Sequence, residues 1–460
     1  MPYQIKEKIS KYSGAVALLT TSTVLMEPSQ SYAQDWLPDL SATVIGDARA
    51  ALGSDDVNWQ KGGLGKTRFG RSQNSSGREH FKLAEAGLLV RAKFGFDVEA
   101  VAHLQYAPEQ TKTIDLVEAY LTYQPLSLSD FATSAKVGLF YPPVSMEHVD
   151  VGWNTPYSIT PSAMNSWIGE EVKSLNLQLA LEHRGQDWVT KLSGALLTKN
   201  DPTGTMLTWR GWALHDRKIS WQDVLPLADL NSLADDGAFA IQDKAIKPHR
   251  EIDDRIGIYA KLESTYQEWL TLAAFHYDNR GDPTIFVPNE IQNTYGTSSS
   301  GIQILADHSV GGNAPVRGEY AWDTRFQAAG VNALMPNDFE IIAQAMTGLT
   351  EMGGNTPAGR PMASVRFNTA YGMLVKTLDQ HQLSARFDWF EAKDRSMVIE
   401  DNNNENGYAL MAAYGYQLDQ YQRLMAEVLH VNSKRENRVD LGLPLRSKEN
   451  QIQISYRVIF

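Results

Sequence analysis

Apolar and polar residues alternate along most of this chain. In QIQISYRVIF, Ile452, Ile454, Tyr456, Val458 and Phe460 fall on one side of a period of two; Gln451, Gln453, Ser455 and Arg457 fall on the other. HQLSARFDWF sets Leu383, Ala385, Phe387 and Trp389 against Gln382, Ser384, Arg386 and Asp388. KSLNLQLALEHR sets Leu175, Leu177, Leu179 and Leu181 against Asn176, Gln178 and Glu182. RGEYAWDTRFQAA sets Trp322, Phe326 and Ala328 against Asp323, Arg325 and Gln327, and ASVRFNTAYGMLV sets Val365, Phe367, Tyr371 and Met373 against Arg366 and Asn368. Successive side chains of an extended strand point to opposite faces, so this period predicts strands with one apolar and one polar face. Sixteen such segments are expected: 43–53, 80–92, 94–106, 114–125, 133–141, 171–184, 187–199, 252–264, 267–277, 317–330, 337–349, 361–376, 380–391, 405–418, 421–433 and 450–460.

The connections carry a second regularity. Every odd one, counted from the first, is at least as long as its even neighbours, and most of the even ones are tight turns such as Arg184-Gly185-Gln186. Long connections at one end and short ones at the other are the asymmetry of an outer-membrane barrel. A soluble all-β protein also alternates, but its strands usually run to roughly five or six residues. Spans of about 10 to 14 suit tilted transmembrane strands better, and the aromatic residues near segment ends suit interfacial girdles. The expected fold is all-β: a transmembrane antiparallel β-barrel of sixteen strands with long external loops and short periplasmic turns. The stretch 205–220 leaves eighteen strands open, although a long loop fits better because the alternation lapses after it. The last segment is expected to pair with the first and close the ring.

Residues 1–33 read as an export signal. Lys6, Lys8 and Lys11 form a basic start, Gly14 to Met26 a short apolar run, and Ser31 and Ala33 a small-residue cleavage site. Residues 34–460 then form a single barrel domain. The formal charge of −12 argues against nucleic-acid binding. With no cysteine, the chain has no disulfide, thiol nucleophile or thiolate metal site. No nucleophile elbow, zinc helix or phosphate loop is present, so neither catalysis, metal nor cofactor is expected. DNNNENG (401–407) fails as a calcium loop, because Asn406 stands where the turn glycine belongs and Ala412 where the bidentate Glu belongs. It reads as a solvated loop, and GTSSSG (296–301) as a flexible one.

In a barrel, function resides in the lumen. Alternation places Arg49, Arg91, Lys136, Lys191, Arg255, Lys261, Arg325, Arg366, Arg386 and Arg423 on the inner wall. Cations slightly outnumber acids on those faces, whereas the whole chain has 42 basic against 54 acidic residues. Basic rings favour anions, but pairing across strands leaves only a weak preference. A bore of this size invites a loop to fold inward. The best candidate is 142–170, stiffened by Pro142, Pro143, Pro156 and Pro161 and too apolar for free solvation. It is expected to leave Glu147, His148, Asp150, Glu170 and Glu171 near the pore.

The stretch KVGLFYPPVSMEHVDVGWNTPYSITPSAMNSWIGEEV, with Gly138, Phe140, Pro143, Glu147 and Gly169, resembles the central segment of the phosphate-selective porin O and P family. The resemblance implies a sixteen-stranded, trimeric outer-membrane channel through which small hydrophilic solutes or anions diffuse passively. Phosphate-selective members use dense arrays of lysine and arginine; here the expected wall is nearly balanced. The barrel reading implies outer-membrane lipid and lipopolysaccharide as surroundings. Phe460 resembles the terminal signature that implies recognition by the barrel-assembly machinery. A barrel enzyme and a non-conducting anchor or adhesin remain the alternatives.

Overall fold

The computed structural model describes residues 38–72, 77–289, 316–355, 361–396, 398 and 400–460. The expected export signal and the GTSSSG stretch lie outside these. Sixteen strands close into one antiparallel barrel. In chain order they are β1 (Asp39–Leu52), β2 (Glu79–Phe94), β3 (Val98–Tyr106), β4 (Asp115–Tyr123), β5 (Phe131–Phe140), β6 (Ser174–Arg184), β7 (Trp188–Thr198) and β8 (Gly257–Tyr266). There follow β9 (Leu270–Asp278), β10 (Trp322–Met335), β11 (Phe339–Asn355), β12 (Pro361–Leu378), β13 (His381–Asp394), β14 (Glu405–Gln417), β15 (Gln422–Arg435) and β16 (Arg446–Ile459). Each expected segment overlaps one strand. Residues 205–220 add none: they hold a short helix, α2 (Thr205–Trp209), inside a long loop. The strand number is sixteen.

Each strand pairs with its sequence neighbour, and β16 returns to β1 from Ile459 opposite Ile45 to Ile452 opposite Leu52. Val44 and Phe460 complete the seam with two reciprocal backbone hydrogen bonds of 2.9 Å. Closure removes the unpaired edge that hydrocarbon would not tolerate. The tight turns need left-handed backbone, which they take without glycine at Gln267-Glu268 and Asn337-Asp338. Among the described residues no helix is long and apolar enough to cross a membrane; strands do the crossing.

The outer face follows the alternation where it was clearest. Leu177, Leu179, Leu181, Leu383, Phe387, Trp389, Ile452 and Ile454 are exposed there. On β10 and β12 the expectation is inverted. Phe326, Ala328, Phe367, Tyr371, Met373 and Val375 point inward and are buried, while Arg325 and Arg366 stand on the outer surface. The cause is that the lumen is not simply wet. From β7 round to β15 the inner wall is largely apolar, and it packs against Met164, Trp167, Ile168 and Val172 of the third long loop. Apolar residues on both faces leave alternation unable to tell inside from outside.

Candidate functional site

Among the described residues, three long loops enter the lumen: the first (53–72), the third (141–173) and the fourth (199–256). The third leaves β5 just after Gly138, whose φ of 136° and close approach to the Ala119 carbonyl exclude a Cβ. It turns at Gly152 and Trp153, and the Trp153 ring is stacked between His148 and Tyr141 at centroid distances of 3.6 and 4.0 Å. It then forms α1 (Ala163–Trp167), capped by the Ser162 hydroxyl accepting from the Asn165 N–H, and continues as a π turn to Val172.

Wall side chains hold this loop by its backbone. Glu427 accepts from the N–H groups of Ile159 (2.7 Å) and Thr160 (2.9 Å), and Asp388 from that of Ala163 (3.0 Å). Arg386 donates to the carbonyls of Thr160 (2.8 Å) and Pro161 (2.9 Å) and to Asp388 (2.8 Å). Gln344 accepts from the Met146 N–H and donates to the Val144 carbonyl. Glu147 lies beneath, accepting from the Ser162 N–H and hydroxyl and from Asn165, with Arg386 at 3.5 Å. A carboxylate that accepts several N–H donors in a dry site is well matched to fixing a loop.

The acids expected to face the pore mostly serve this joint instead. Glu147, Glu170 and Glu171 are buried. Burial works to raise the Glu170 carboxyl, but Arg210 at 2.6 Å and His215 hold it down at about 2. Glu171 caps α2, accepting from the N–H groups of Met206 (2.9 Å) and Leu207 (3.2 Å) and from the Trp167 indole (2.7 Å). Burial, with Glu170 beside it, pushes it up to about 7. Glu147 and Glu171 were drawn in by unpaired backbone N–H groups and Glu170 by the Arg210 guanidinium, partners which the sequence does not display. His148 and half-buried Asp150 remain near open space; burial pushes the His148 imidazole well below its usual range, so it is neutral. The Ser145 hydroxyl lies 2.8 Å from His148 but also accepts from the N–H groups of Glu147 and His148, so it caps a turn.

The fourth loop was not foreseen in the lumen. Its HDRK run (215–218) crosses to the polar wall of β1 and β2: Asp216 pairs with Arg49 (2.7 Å) and Arg68 (3.0 Å). Lys218 pairs with Glu85 (2.7 Å) and donates to the Gly152 carbonyl and to Asn154 of the third loop. Four consecutive polar residues in a segment without alternation were the available signal. The first loop is tied similarly, with Lys66 at 2.5 Å from Glu405 and its N–H given to Glu449. DNNNENG is also drawn inward: Asp401 is buried and accepts from the Trp209 indole, so the solvated-loop expectation is corrected. Asp201, Glu251 and Asp253 bring carboxylate oxygens within 4.8 Å of one another. Asp201 and Glu251 already accept backbone N–H groups there.

Between the third and fourth loops lies a gap of about 10 Å³, room for one water. His148, Trp153, Asp216, Arg217, Lys218 and Arg457 contribute to its lining. Towards the short turns the inner wall carries Arg91, Lys136, Lys191, Lys261 and Arg423, half-buried. Lys136 sits over Tyr120 at 3.6 Å, Lys261 pairs with Glu263 at 2.6 Å, and Arg423 donates to Gln382. Arg49 and Arg386 also point inward but are spent on Asp47, Asp216, Asp388 and loop carbonyls. Arg255 precedes β8 rather than lying on it, exposed and paired with Asp282. Arg325 and Arg366 belong to the outer surface, as described above.

No family model and no curated protein matches the chain. Solved structures do resemble it. A loop-deletion form of OmpT, an outer membrane protein of Vibrio cholerae, aligns with a TM-score of 0.50 and 8% identity, covering 92% of this chain and 100% of that one. The in-vitro folded, trimeric form of OmpT aligns at 0.49, and an anion-selective porin from Comamonas acidovorans at 0.48, each at 8% identity with the same coverage. At such identity the likeness is one of fold: the chain has the architecture of outer-membrane β-barrels.

Proposed function

We propose that the chain is an outer-membrane porin, a trimeric channel for passive diffusion of small hydrophilic solutes, with a weak preference for anions. The observation that carries this is the gap between the two inward loops. Its charged lining is Arg217, Lys218 and Arg457 against Asp216, and His148 there is neutral. Cations at a constriction favour anions; phosphate-type anions fit the family resemblance. Because the docked gap holds a single water, ion flow depends on the third and fourth loops parting, and conductance is expected to be low. The test is reversal potential in asymmetric salt across a planar bilayer. Lys218→Gln should move selectivity towards cations. No conductance from well-folded protein would overturn the reading in favour of a non-conducting anchor, which the apolar filling of the upper lumen otherwise favours. The same reading holds that the chain performs no catalysis.

A further inference from the structure

The two arginines displaced from the expected lumen belong to a pattern on the outside. In register across neighbouring strands, Asp278, Arg325, Leu349, Arg366 and Lys393 form one outward row. The row beneath runs His276, Gln327, Thr347, Asn368, Glu391, Asn406, Lys434 and Arg446. Part of it is linked laterally: Gln327 to His276 at 3.2 Å, Thr347 to Asn368 at 2.8 Å, and Asn368 to Glu391 at 3.3 Å. Beneath that, Ala274, Ala329, Ala345, Ala370, Trp389 and Tyr408 begin the apolar band, and Lys448 closes their row on β16 through Asn432.

Cations and acids share this belt, but not evenly paired. Lys393 pairs with Glu391 at 3.1 Å and Lys434 with Glu436 at 2.5 Å. Arg325 stands off at 3.8 Å from Asp323 and 4.0 Å from Glu351. Among the described residues, the side chains of exposed Arg366, Arg446, Lys448 and Arg280 have no ion-pair or hydrogen-bond partner. Arg280, Arg255 and Arg325 line an open cleft of about 600 Å³ at one end of the belt, with Asp254, Asp278 and Asp323. A charge on the lipid face costs roughly 2–4 kcal/mol at mid-bilayer and about 0–1 near the interface. Counted from the short-turn ends of their strands, Leu378 and Ile459, Arg366 stands 12 residues up and Arg446 and Lys448 stand 13 and 11. Exposed, unpaired cations at this common height on the long-loop side therefore mark the headgroup level of the outer leaflet.

We infer that this face, from β9 to β16, binds the phosphate groups of the outer-leaflet glycolipid, lipopolysaccharide. Arg366, Arg446 and Lys448 take the phosphates directly. The inference rests on the outer-membrane reading and deepens it. The experiment measures binding of the folded full-length barrel to vesicles containing bisphosphorylated lipid A and to vesicles of its dephosphorylated form. The unmodified protein should prefer the phosphorylated vesicles. Arg366→Gln, Arg446→Gln and Lys448→Gln together should weaken that binding about a hundredfold, roughly fivefold for each cation. None of the three breaks an internal ion pair, and retained heat-shifted gel mobility verifies the fold. Equal binding to both vesicles, unaltered binding by the triple variant, or cross-linking from position 366 to a second copy of this chain would each overturn the inference. Conductance is read separately, so a silent channel that binds phosphorylated lipid refutes only the diffusion reading.

Discussion

Replacing Arg386 by leucine is the sharpest probe of the loop–wall joint. The guanidinium is fully buried and holds two carboxylates, Asp388 at 2.8 Å and Glu147 at 3.5 Å, with two loop carbonyls at 2.8 and 2.9 Å. Leucine leaves both acids in a dry site without their cation. Removing one partner of a buried pair costs about 3–5 kcal/mol, and every 1.4 kcal/mol is a factor of ten. The docked state of residues 141–173 should therefore lose about two to three and a half orders of magnitude against the undocked state. The barrel itself keeps its complete hydrogen-bonded ring. Single-channel recordings should show larger and noisier conductance, and hydrogen exchange should rise across 144–172 while the strands stay protected. Glu147→Gln added to Arg386→Leu should recover part of the loss, because one stranded charge is then gone. Unchanged conductance together with unchanged exchange in the single variant would refute the argument that this latch positions the loop.

Other outcomes follow from particular residues. Glu171, raised to about 7 from an ordinary 4.5, favours docking when protonated, so its contribution is full below pH 4.5 and is lost as pH rises through 7. Glu170, held at about 2, acts oppositely: its contribution is present above pH 4.5 and lost as pH falls through 2. Protection from hydrogen exchange at 163–172, relative to the intrinsic amide rate at each pH, should thus be greatest near pH 4.5, and Glu171→Gln should abolish the loss on the alkaline side. Gly138→Ala should lower the temperature at which folded gel mobility collapses, since its Cβ would strike the Ala119 carbonyl. Gln267→Asn with Glu268→Gly should raise that temperature, because both positions have positive φ in the three-residue turn between β8 and β9. The gain is about 1 kcal/mol or more.

The barrel was legible because a membrane-facing strand must show lipid one face at every second residue. All sixteen strands and the asymmetry of their connections came from that constraint. What lay inside was less legible. Leu383, Phe387 and Trp389 gave β13 the correct faces because Arg386 and Asp388 lay opposite. Phe326 and Phe367 misplaced β10 and β12 because the inner wall there is as apolar as the outer. Proline and apolar content singled out 142–170, but Glu171 depends on N–H groups brought by the fourth loop, Glu170 on Arg210 of that loop, and Glu147 on Ser162 and Arg386. The HDRK run has no periodicity, so nothing in one dimension tied Asp216 to Arg49 or Lys218 to Glu85.

The contacts of the third loop also impose a chronology on assembly. Residues 141–173 precede in the chain most of the wall residues that hold them: Gln344, Arg386, Asp388 and Glu427 all arrive later. Among the described residues, only the two ends of the loop are tied to an earlier strand, through Glu118 and the Val117 carbonyl. The apolar inner surfaces of β10 to β15 find their dry partners on that loop and on Leu207, Trp212 and Leu214 of the fourth. A segment bonded to wall strands on several sides is not easily threaded into a finished cylinder. The loop therefore acts as a mandrel: the later strands are laid around it, and the seam between Val44 and Phe460 shuts over a lumen already filled.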